Sequence, residues 1–322
     1  MRKYNIPIFI PHEGCPHDCV FCNQRKITGL TTSLTAKEAE SQISTHLSYL
    51  PSKDRTVEVA FFGGSFTGLP LSVQEEFYQV ADRFKDRIDG IRLSTRPDCI
   101  HDEVLTLAEK YGVTMIELGA QSSADKVLAM NNRGHTFSHT IKAVEKIRAH
   151  GIGVGLQMMT GMYGSNEELD IQTAEDLAEL KPDCVRIYPV LVLKDTHLAT
   201  LYQKGEYQPQ TLDTAIERAK KVLAVFHRDR ISVIRLGLHV GEELRQEGTV
   251  LAGPFHPALG ELVESRLYRD WMEEEWNRSE ERPAVFEISV PKGCVSKAIG
   301  HKRCNAEYFA QRYGTRLKIT EK

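Results

Sequence analysis

The sequence predicts an α/β fold in which strand–helix units repeat around a parallel sheet. Three observations lead to this prediction. Short runs rich in Ile and Val alternate with amphipathic stretches, helix-start signals follow the first two runs, and 41% hydrophobic with 26% charged residues is a globular composition. A chain of 322 residues can bury a large core as one barrel-like domain or as two ordinary domains.

The expected elements follow one another along the chain. Strands are expected at about 6–11, 57–62, 90–95, 114–119, 152–158, 183–188 and 231–238. Helices are expected at about 35–50, 71–87, 101–111, 123–149, 166–180 and 211–228. Thr35 with Glu38, and Ser72 with Glu75, indicate capping boxes that begin the first two helices. Parallel strands joined by helices present their carboxyl ends at one edge, where catalytic groups of such folds collect.

The alternation weakens after about residue 250, so we expect a core domain over 1–250 and a small α+β extension over 251–322. The charge-dense run 272–282 predicts a solvated helix surface. The stretch 292–303 is the most basic part of the chain. Its lysines and arginines beside glycines could hold RNA phosphates, although such a run is more often a solvated helix face.

Charge and cysteine usage limit the class of protein. A net charge of −3 and a pI near 6.5 exclude a global attraction to nucleic acid, so any polyanion site must be local. The apolar stretch 6–11 contains two prolines and is too short for a signal peptide or a membrane span. Cysteine clustering favours metal ligation over disulfides, and we expect a cytoplasmic protein. We do not expect Cys294 and Cys304 to form a metal site with Cys99 or Cys184.

Cys15, Cys19 and Cys22 form a C-x3-C-x2-C pattern just after the first expected strand. Three thiolates on one short loop can bind three irons of a cubane and leave the fourth iron without a protein ligand. Such an iron can chelate a cofactor and deliver an electron to it. The alternative is a zinc site with His12 or His17 as the fourth ligand, which would suit a non-catalytic RNA-binding module.

The cysteine pattern, with Phe21 before its last cysteine, resembles the signature of the radical S-adenosylmethionine (SAM) superfamily, and further motifs follow over roughly residues 6–240. The resemblance implies a partial (βα)6 TIM-like barrel of the radical SAM type. It implies a 4Fe-4S cluster on the three cysteines, where SAM is reductively cleaved to a 5′-deoxyadenosyl radical. It also implies a low-potential electron donor of the flavodoxin or ferredoxin type.

The resemblance implies SAM contacts at the ends of the second and third strands. Gly63, Gly64 and Ser65 match a segment whose main chain holds the amino-acid end of SAM, and paired glycines let a backbone approach a ligand closely. Ser94 and Arg96 match a segment that borders the cofactor, where relatives usually carry Glu at the position of Ser94. An arginine at a strand end can orient a carboxylate bidentately or form a surface ion pair.

The resemblance also assigns polar residues on the next two strands. Gln121 and Arg133 match positions that contact the ribose and the carboxylate of SAM. Gln157 takes the place of a polar residue that approaches the ribose. Judged without the resemblance, Gln121 would be a core amide whose hydrogen bonds are satisfied within the fold.

Within the superfamily the sequence is most similar to the Elongator catalytic subunit, through the segments STRPD, NNRGHT, IYP, KDT and GEYQP. That family builds an acetyl-derived group onto the wobble uridine of transfer RNA, which makes tRNA a candidate partner. The Elongator subunit has a wider gap between its first two cluster cysteines and carries an acetyltransferase domain, for which this chain is too short. We therefore expect an Elongator-like enzyme without that domain. The alternative is a tetrapyrrole-directed enzyme related to oxygen-independent coproporphyrinogen oxidase, which shares the cysteine spacing.

Overall fold

A computed structural model describes residues 2–10, 14–23, 34–51, 53–238 and 242–322, and its core is a parallel sheet of seven strands. The strands are β1 Arg2–Ile10, β2 Arg55–Gly63, β3 Gly90–Thr95, β4 Val113–Gln121, β5 Gly153–Thr160, β6 Cys184–Pro189 and β8 Val233–Leu236. They lie side by side in chain order, and the sheet curls into a half-barrel. All seven expected strands are present, although position 11 lies outside the described residues.

Helices join the strands, and most of them pack on the outer face of the sheet, whereas the short helices at 125–130 and 197–203 pack with Val20 of the cysteine loop. They are α1 Ala36–Tyr49, α2 Leu71–Asp82, α3 Asp102–Lys110, α4 Asp125–Met130, α5 Phe137–Ala149, α6 Glu167–Glu179, α7 His197–Gln203 and α8 Leu212–Arg228. The main apolar core lies between the two layers, where Ile8, Phe61 and Ile116 of the sheet are fully buried with Ile43 and Tyr78 of the helices. Because successive strand residues point to opposite faces, the residues between these positions point into the barrel.

The start of α1 follows the prediction, whereas the start of α2 does not. Thr35 Oγ1 accepts from the Glu38 backbone N–H, and the Glu38 carboxylate accepts from the Thr35 backbone N–H at 2.9 Å, which completes a capping box. The second predicted box is wrong, because α2 begins after Pro70 and Ser72 lies inside the helix. Glu75 instead accepts hydrogen bonds from a lysine and a tyrosine at the end of α3.

The single helix expected over 123–149 is wrong, since a turn divides it into α4 and α5. Within the turn Asn132 has φ 52° and Gly134 has φ 68°. A right-handed helix cannot continue through residues in the left-handed region. The predicted helix 71–87 is also too long, because α2 ends at Asp82.

The C-terminal part has its own small sheet and core. It comprises α9 Glu242–Arg245, α10 Leu259–Arg278, β10 Val285–Val290, α11 Val295–Ile299, α12 Cys304–Tyr313 and β11 Arg316–Glu321. Strands β10 and β11 pair in parallel. A short strand β7, Val192–Leu193, pairs with β9, Val250–Ala252, so the chain near the expected boundary at 250 is tied to the core. The boundary itself stays a prediction.

The charged run 272–282 is not a uniformly solvated surface, and that prediction is wrong in part. Met272 and Trp276 are buried against Phe309 and Leu317, while most of the acidic residues between them remain accessible. The run therefore supplies one wall of the small core of the extension. Among the helices of the described residues, none is long and apolar enough to cross a membrane.

Candidate cluster and cofactor site

The cysteine loop and the carboxyl ends of β2 to β5 enclose a cavity of about 170 Å³. It is lined by every predicted site residue except one: Cys15, Cys19, Phe21, Cys22, Gly63, Gly64, Ser94, Arg96, Gln121, Arg133 and Gln157. The exception, Ser65, is completely buried beneath the cavity, where its hydroxyl lies 2.7 Å from Thr95 Oγ1. The structure thus brings together residues that are spread over more than 140 positions of the chain.

The cysteine loop is held by backbone hydrogen bonds to two distant segments. The Val20 N–H donates to the Asn131 carbonyl at 3.1 Å, and the Leu198 N–H donates to the Val20 carbonyl at 2.8 Å. The side chain of Asn132 donates to the Asp18 carbonyl at 2.8 Å. The NNRGHT turn therefore anchors the loop that carries the cysteines, which explains one use of its paired asparagines.

Two glycines allow the loop and the strand ends to approach one another closely. Gly14 has φ 70°, and a Cβ atom there would lie 2.1 Å from the Ser65 carbonyl oxygen. Gly63 has φ 112°, and a Cβ atom there would lie 2.8 Å from the Ile10 carbonyl oxygen. A side chain at either position would both clash with backbone and strain the chain, so the close approach requires glycine.

Two guanidinium groups face the sulfur of Cys19. Arg133 Nη1 lies 3.1 Å from Cys19 Sγ and Arg96 Nη1 lies 4.0 Å from it. Arg96 also binds the Asp98 carboxylate with two hydrogen bonds of 3.0 and 2.9 Å. Burial favours the neutral form of Asp98, but the bonds from Arg96 outweigh this effect and hold the pKa of the carboxyl below its ordinary value. Arg96 and Asp98 are 5% and 17% exposed, so the ion pair expected as the alternative role of Arg96 is present, although it lies below the surface.

Burial raises the pKa of the Cys15 thiol, and the neighbouring Cys19 adds to the rise, while the two arginines oppose it. Among the described residues, no group of three His, Cys, Asp or Glu side chains is arranged to hold a metal ion, so the cysteine ligation stays a prediction. His17 lines the cavity, whereas His12 lies outside the described residues. The zinc alternative is therefore untested as well.

Two buried polar atoms beside the cavity lack a hydrogen-bond partner among the described residues: Oε1 of Gln121 and Nε of Arg133. Gln121 has φ 66° and sits where the pairing of β4 with β5 shifts register after Gly119. Buried polar atoms are nearly always paired, so these two atoms are suited to a ligand. Within the described residues, Gln121 is therefore not a fully satisfied core amide.

Gln157 is tied to the floor of the cavity by its amide nitrogen. Nε2 donates to Ser94 Oγ at 3.1 Å and to Glu117 Oε2 at 3.0 Å. The carbonyl oxygen of the same amide is the end left for a ligand. Ser94 thus supports Gln157, which is a role that the sequence did not indicate.

Glu117 is the centre of an ion-pair network inside the barrel that the sequence reasoning missed. It is 1% exposed and accepts from Arg92 Nη1 at 2.9 Å and from Arg186 Nε and Nη2 at 2.5 and 2.9 Å. Burial would raise the pKa of Glu117, but the bonds from the arginines outweigh it and lower the pKa. The sequence did contain a signal for this network, because Glu117 is the only carboxylate in the apolar strand VTMIELGAQ and a buried charge is expected to have a charged partner.

The four remaining cysteines lie in two different parts of the fold. Cys99 is buried below the cavity beside Ser65, and Cys184 is buried inside the barrel 3.8 Å from Arg92 Nη1. Cys294 and Cys304 lie at the starts of α11 and α12 in the C-terminal part.

The model of the radical SAM superfamily matches residues 9–177, and that of the radical SAM C-terminal domain matches residues 182–269. Among curated proteins, the tRNA uridine(34) acetyltransferase of Methanocaldococcus jannaschii is 28% identical over 95% of this chain and 62% of its own length. An uncharacterised protein of the same archaeon is 33% identical over 66% of this chain and 68% of its own length. Elongator complex protein 3 of Schizosaccharomyces pombe is 27% identical over 55% of this chain and 33% of its length.

Solved structures agree on the fold. The archaeal Elp3 of Methanocaldococcus infernus superposes with a TM-score of 0.64 at 22% identity, over 86% of this chain and 64% of that one. SuiB of Streptococcus suis, solved with S-adenosylmethionine, gives 0.53 at 14% identity over 73% and 50%. The chain spans less than two thirds of the tRNA uridine(34) acetyltransferase that it resembles. Since the superfamily model covers more than half of the chain, including the cysteine loop, this protein is an enzyme of the radical SAM superfamily.

Proposed function

We propose that this protein is an Elongator-like radical SAM enzyme whose Cys15, Cys19 and Cys22 hold a 4Fe-4S cluster. The observation that carries the proposal is the cavity itself. All three cysteines line it together with Gln121 and Arg133. The buried Gln121 Oε1 and Arg133 Nε have no partner among the described residues, so a ligand there could form hydrogen bonds with them. The three-cysteine donor set fits a cluster with one open iron.

When bound, the cluster and SAM would supply an electron and a 5′-deoxyadenosyl radical for hydrogen abstraction. The chain provides the means to position SAM. Gly63 and Gly64 line the cavity, where their main chain can face the ligand. Arg96 is fixed beside them by its two hydrogen bonds to Asp98, which leave Nη1 as its group nearest to Cys19. Gln121 Oε1 can accept a hydrogen bond from a ribose hydroxyl.

The first experiment is anaerobic purification with iron, sulfide and zinc analysis. We expect a brown protein that forms 5′-deoxyadenosine slowly with SAM and a strong reductant, without substrate. Cys19→Ala should remove the colour and the activity, whereas Cys294→Ala should change neither, because Cys294 lies in the extension. A colourless wild-type protein that contains zinc and binds no SAM would instead support the RNA-binding module.

We further propose that the substrate is a tRNA, with the protein acting in a cytoplasmic setting that supplies a low-potential donor of flavodoxin or ferredoxin type. Relatives named for tRNA uridine(34) support this choice. So does the basic stretch 292–303 in the proposed extension 251–322. There Lys302 and Arg303 are exposed and form no ion pair with another described residue, although Lys297 pairs with Glu264.

A tRNA-binding titration against salt tests this part. Replacing Lys297, Lys302 and Arg303 by Ala should weaken tRNA binding and flatten its salt dependence. With fewer phosphate contacts, fewer counterions are released from the RNA when the protein binds. The matched control replaces three exposed lysines of the core, Lys37, Lys85 and Lys126. SAM cleavage without substrate should survive in both variants. Equal affinity and slope in the wild type and the first variant would favour a small substrate such as a tetrapyrrole.

A further inference from the structure

Arg133 is held against the sulfur of Cys19 from several sides. Its Nη1 lies 3.1 Å from Cys19 Sγ, and its Nη2 donates to the Gly119 carbonyl at 2.7 Å. Its own carbonyl accepts from Arg96 Nη2. Since Arg133 is only 6% exposed, water cannot easily replace these contacts. The guanidinium is therefore fixed before any ligand binds.

The local sequence makes room for this side chain. A Cβ atom on Gly119 would lie 3.4 Å from Arg133 Nη2 and 2.9 Å from Gln121 Nε2, so glycine lets both side chains pass. Gly134 has φ 68° and turns the chain directly after Arg133. The buried ring of His135 then packs between the carbonyls of Ala120 and Arg133, at 3.3 and 3.4 Å. Turn and strand together determine where the guanidinium points.

The two arginines beside Cys19 differ in what balances their charge. Arg96 gives two hydrogen bonds to the Asp98 carboxylate and stays 4.0 Å from the sulfur. Arg133 forms no ion pair with any carboxylate in the described part of the chain, and its bonds are to a sulfur and a carbonyl oxygen. The uncompensated positive charge nearest to Cys19 is thus that of Arg133.

We propose that Arg133 is a positioning residue for the cluster, which tunes the reduction potential through an N–H···S hydrogen bond to Cys19. The inference rests on the proposed cluster. Reduction adds negative charge to a cluster, and a cationic donor at a ligand sulfur stabilises the reduced state more than the oxidised one. Arg133 should therefore raise the reduction potential and ease electron entry. In this role the Nη groups of Arg133 stay bound to Cys19 and Gly119. Gln121 is then the main contact to the nucleoside part of SAM.

The test is a redox titration of the SAM-free cluster in Arg133→Gln and Arg133→Lys, with iron and sulfide measured in parallel. The control is Arg148→Gln, because the partners of Arg148 among the described residues are the Leu180 and Lys181 carbonyls on the exposed surface. We expect full iron content and a more negative midpoint potential in Arg133→Gln, with a smaller shift in Arg133→Lys and none in the control. A purely structural role would lower cluster content without moving the potential of what remains.

An unchanged midpoint potential with full iron content, together with a large loss of SAM affinity, would overturn the inference and make Arg133 a cofactor contact. If Arg133→Gln does not fold, Arg133→Lys becomes the test of the inference. Lysine keeps the positive charge and the aliphatic part of the side chain but lacks the planar guanidinium with its several N–H donors. A wild-type potential in that folded variant would then overturn the inference. A wild-type protein without iron would overturn the proposed function as well.

Discussion

Strand β4 carries two buried polar side chains four positions apart, and their surroundings differ. Glu117 lies inside the barrel and binds two arginines and the amide of Gln157. Gln121 lies at the rim of the cysteine cavity, and its carbonyl oxygen has no partner among the described residues. The first group is satisfied by the protein itself. The second has an oxygen atom that no described residue pairs with.

This difference separates residues that stabilise the barrel from residues that serve the chemistry. A satisfied buried network fixes which strands are neighbours, because each member would be costly to bury alone. An unpartnered buried atom costs stability, and functional sites are where such costs are tolerated. Substitutions in the two regions should therefore act on different measurements, and we order them by their expected effect on the free energy of unfolding.

Glu117→Gln should destabilise the protein most, by about 3–5 kcal/mol, because it leaves the buried Arg186 without its counter-charge. Arg92 keeps its ion pair with Glu58. Urea unfolding of the folded apoprotein measures this loss. The matched control is Glu287→Gln in the extension, whose ion pair with Lys318 is more than half exposed on both sides. It should cost less than about 1 kcal/mol. Similar losses in the two variants would show that the network contributes no more than a surface pair.

The free energy of unfolding should depend on pH through the titration of His135. Burial and the nearby Arg133 lower its pKa from 6.5 to about 4, although Asp98 opposes the shift. The unfolded chain therefore binds more protons between these values, and stability falls as the pH drops from 6.5 towards 4. Between pH 7 and pH 5 this single group should account for about 2 kcal/mol.

The comparison is between the wild type and His135→Gln, each unfolded in urea at both pH values. Gln keeps a polar side chain without a titrating ring, so the variant should lose less stability on acidification. Curves that stay parallel would mean that the buried ring is already protonated or that it does not titrate in this range.

The sheet and the cavity were largely predictable from the sequence, because their signals are local. Runs rich in Ile and Val lie on the buried strands, and polar or glycine residues at strand ends collect where parallel strands finish. The resemblance to a known superfamily supplied the roles proposed for Gln121, Arg133 and Gln157. Their placement around one cavity follows the prediction, while those roles stay proposals.

The partners of Glu117 could not be predicted, since Arg92 and Arg186 are 25 and 69 residues away. The second capping box failed for a related reason. Ser72 and Glu75 have the right spacing, but Pro70 begins the helix two residues earlier and a neighbouring helix attracts the carboxylate. Packing between distant segments decided both cases, and a single sequence does not show it.

The last prediction concerns Gln121→Gly, which should leave the apoprotein as stable as the wild type or more stable by up to about 1 kcal/mol. Glycine removes an unpartnered buried amide and relieves a residue held at φ 66°, although it adds entropy to the unfolded chain. Arg230→Gly is the control, because Arg230 has φ 56° on the exposed surface and should show the backbone effect alone. Only Gln121→Gly should slow 5′-deoxyadenosine formation at unchanged iron content. A large loss of stability in Gln121→Gly, or a wild-type rate, would mean that Gln121 belongs with Glu117 among the residues that stabilise the barrel.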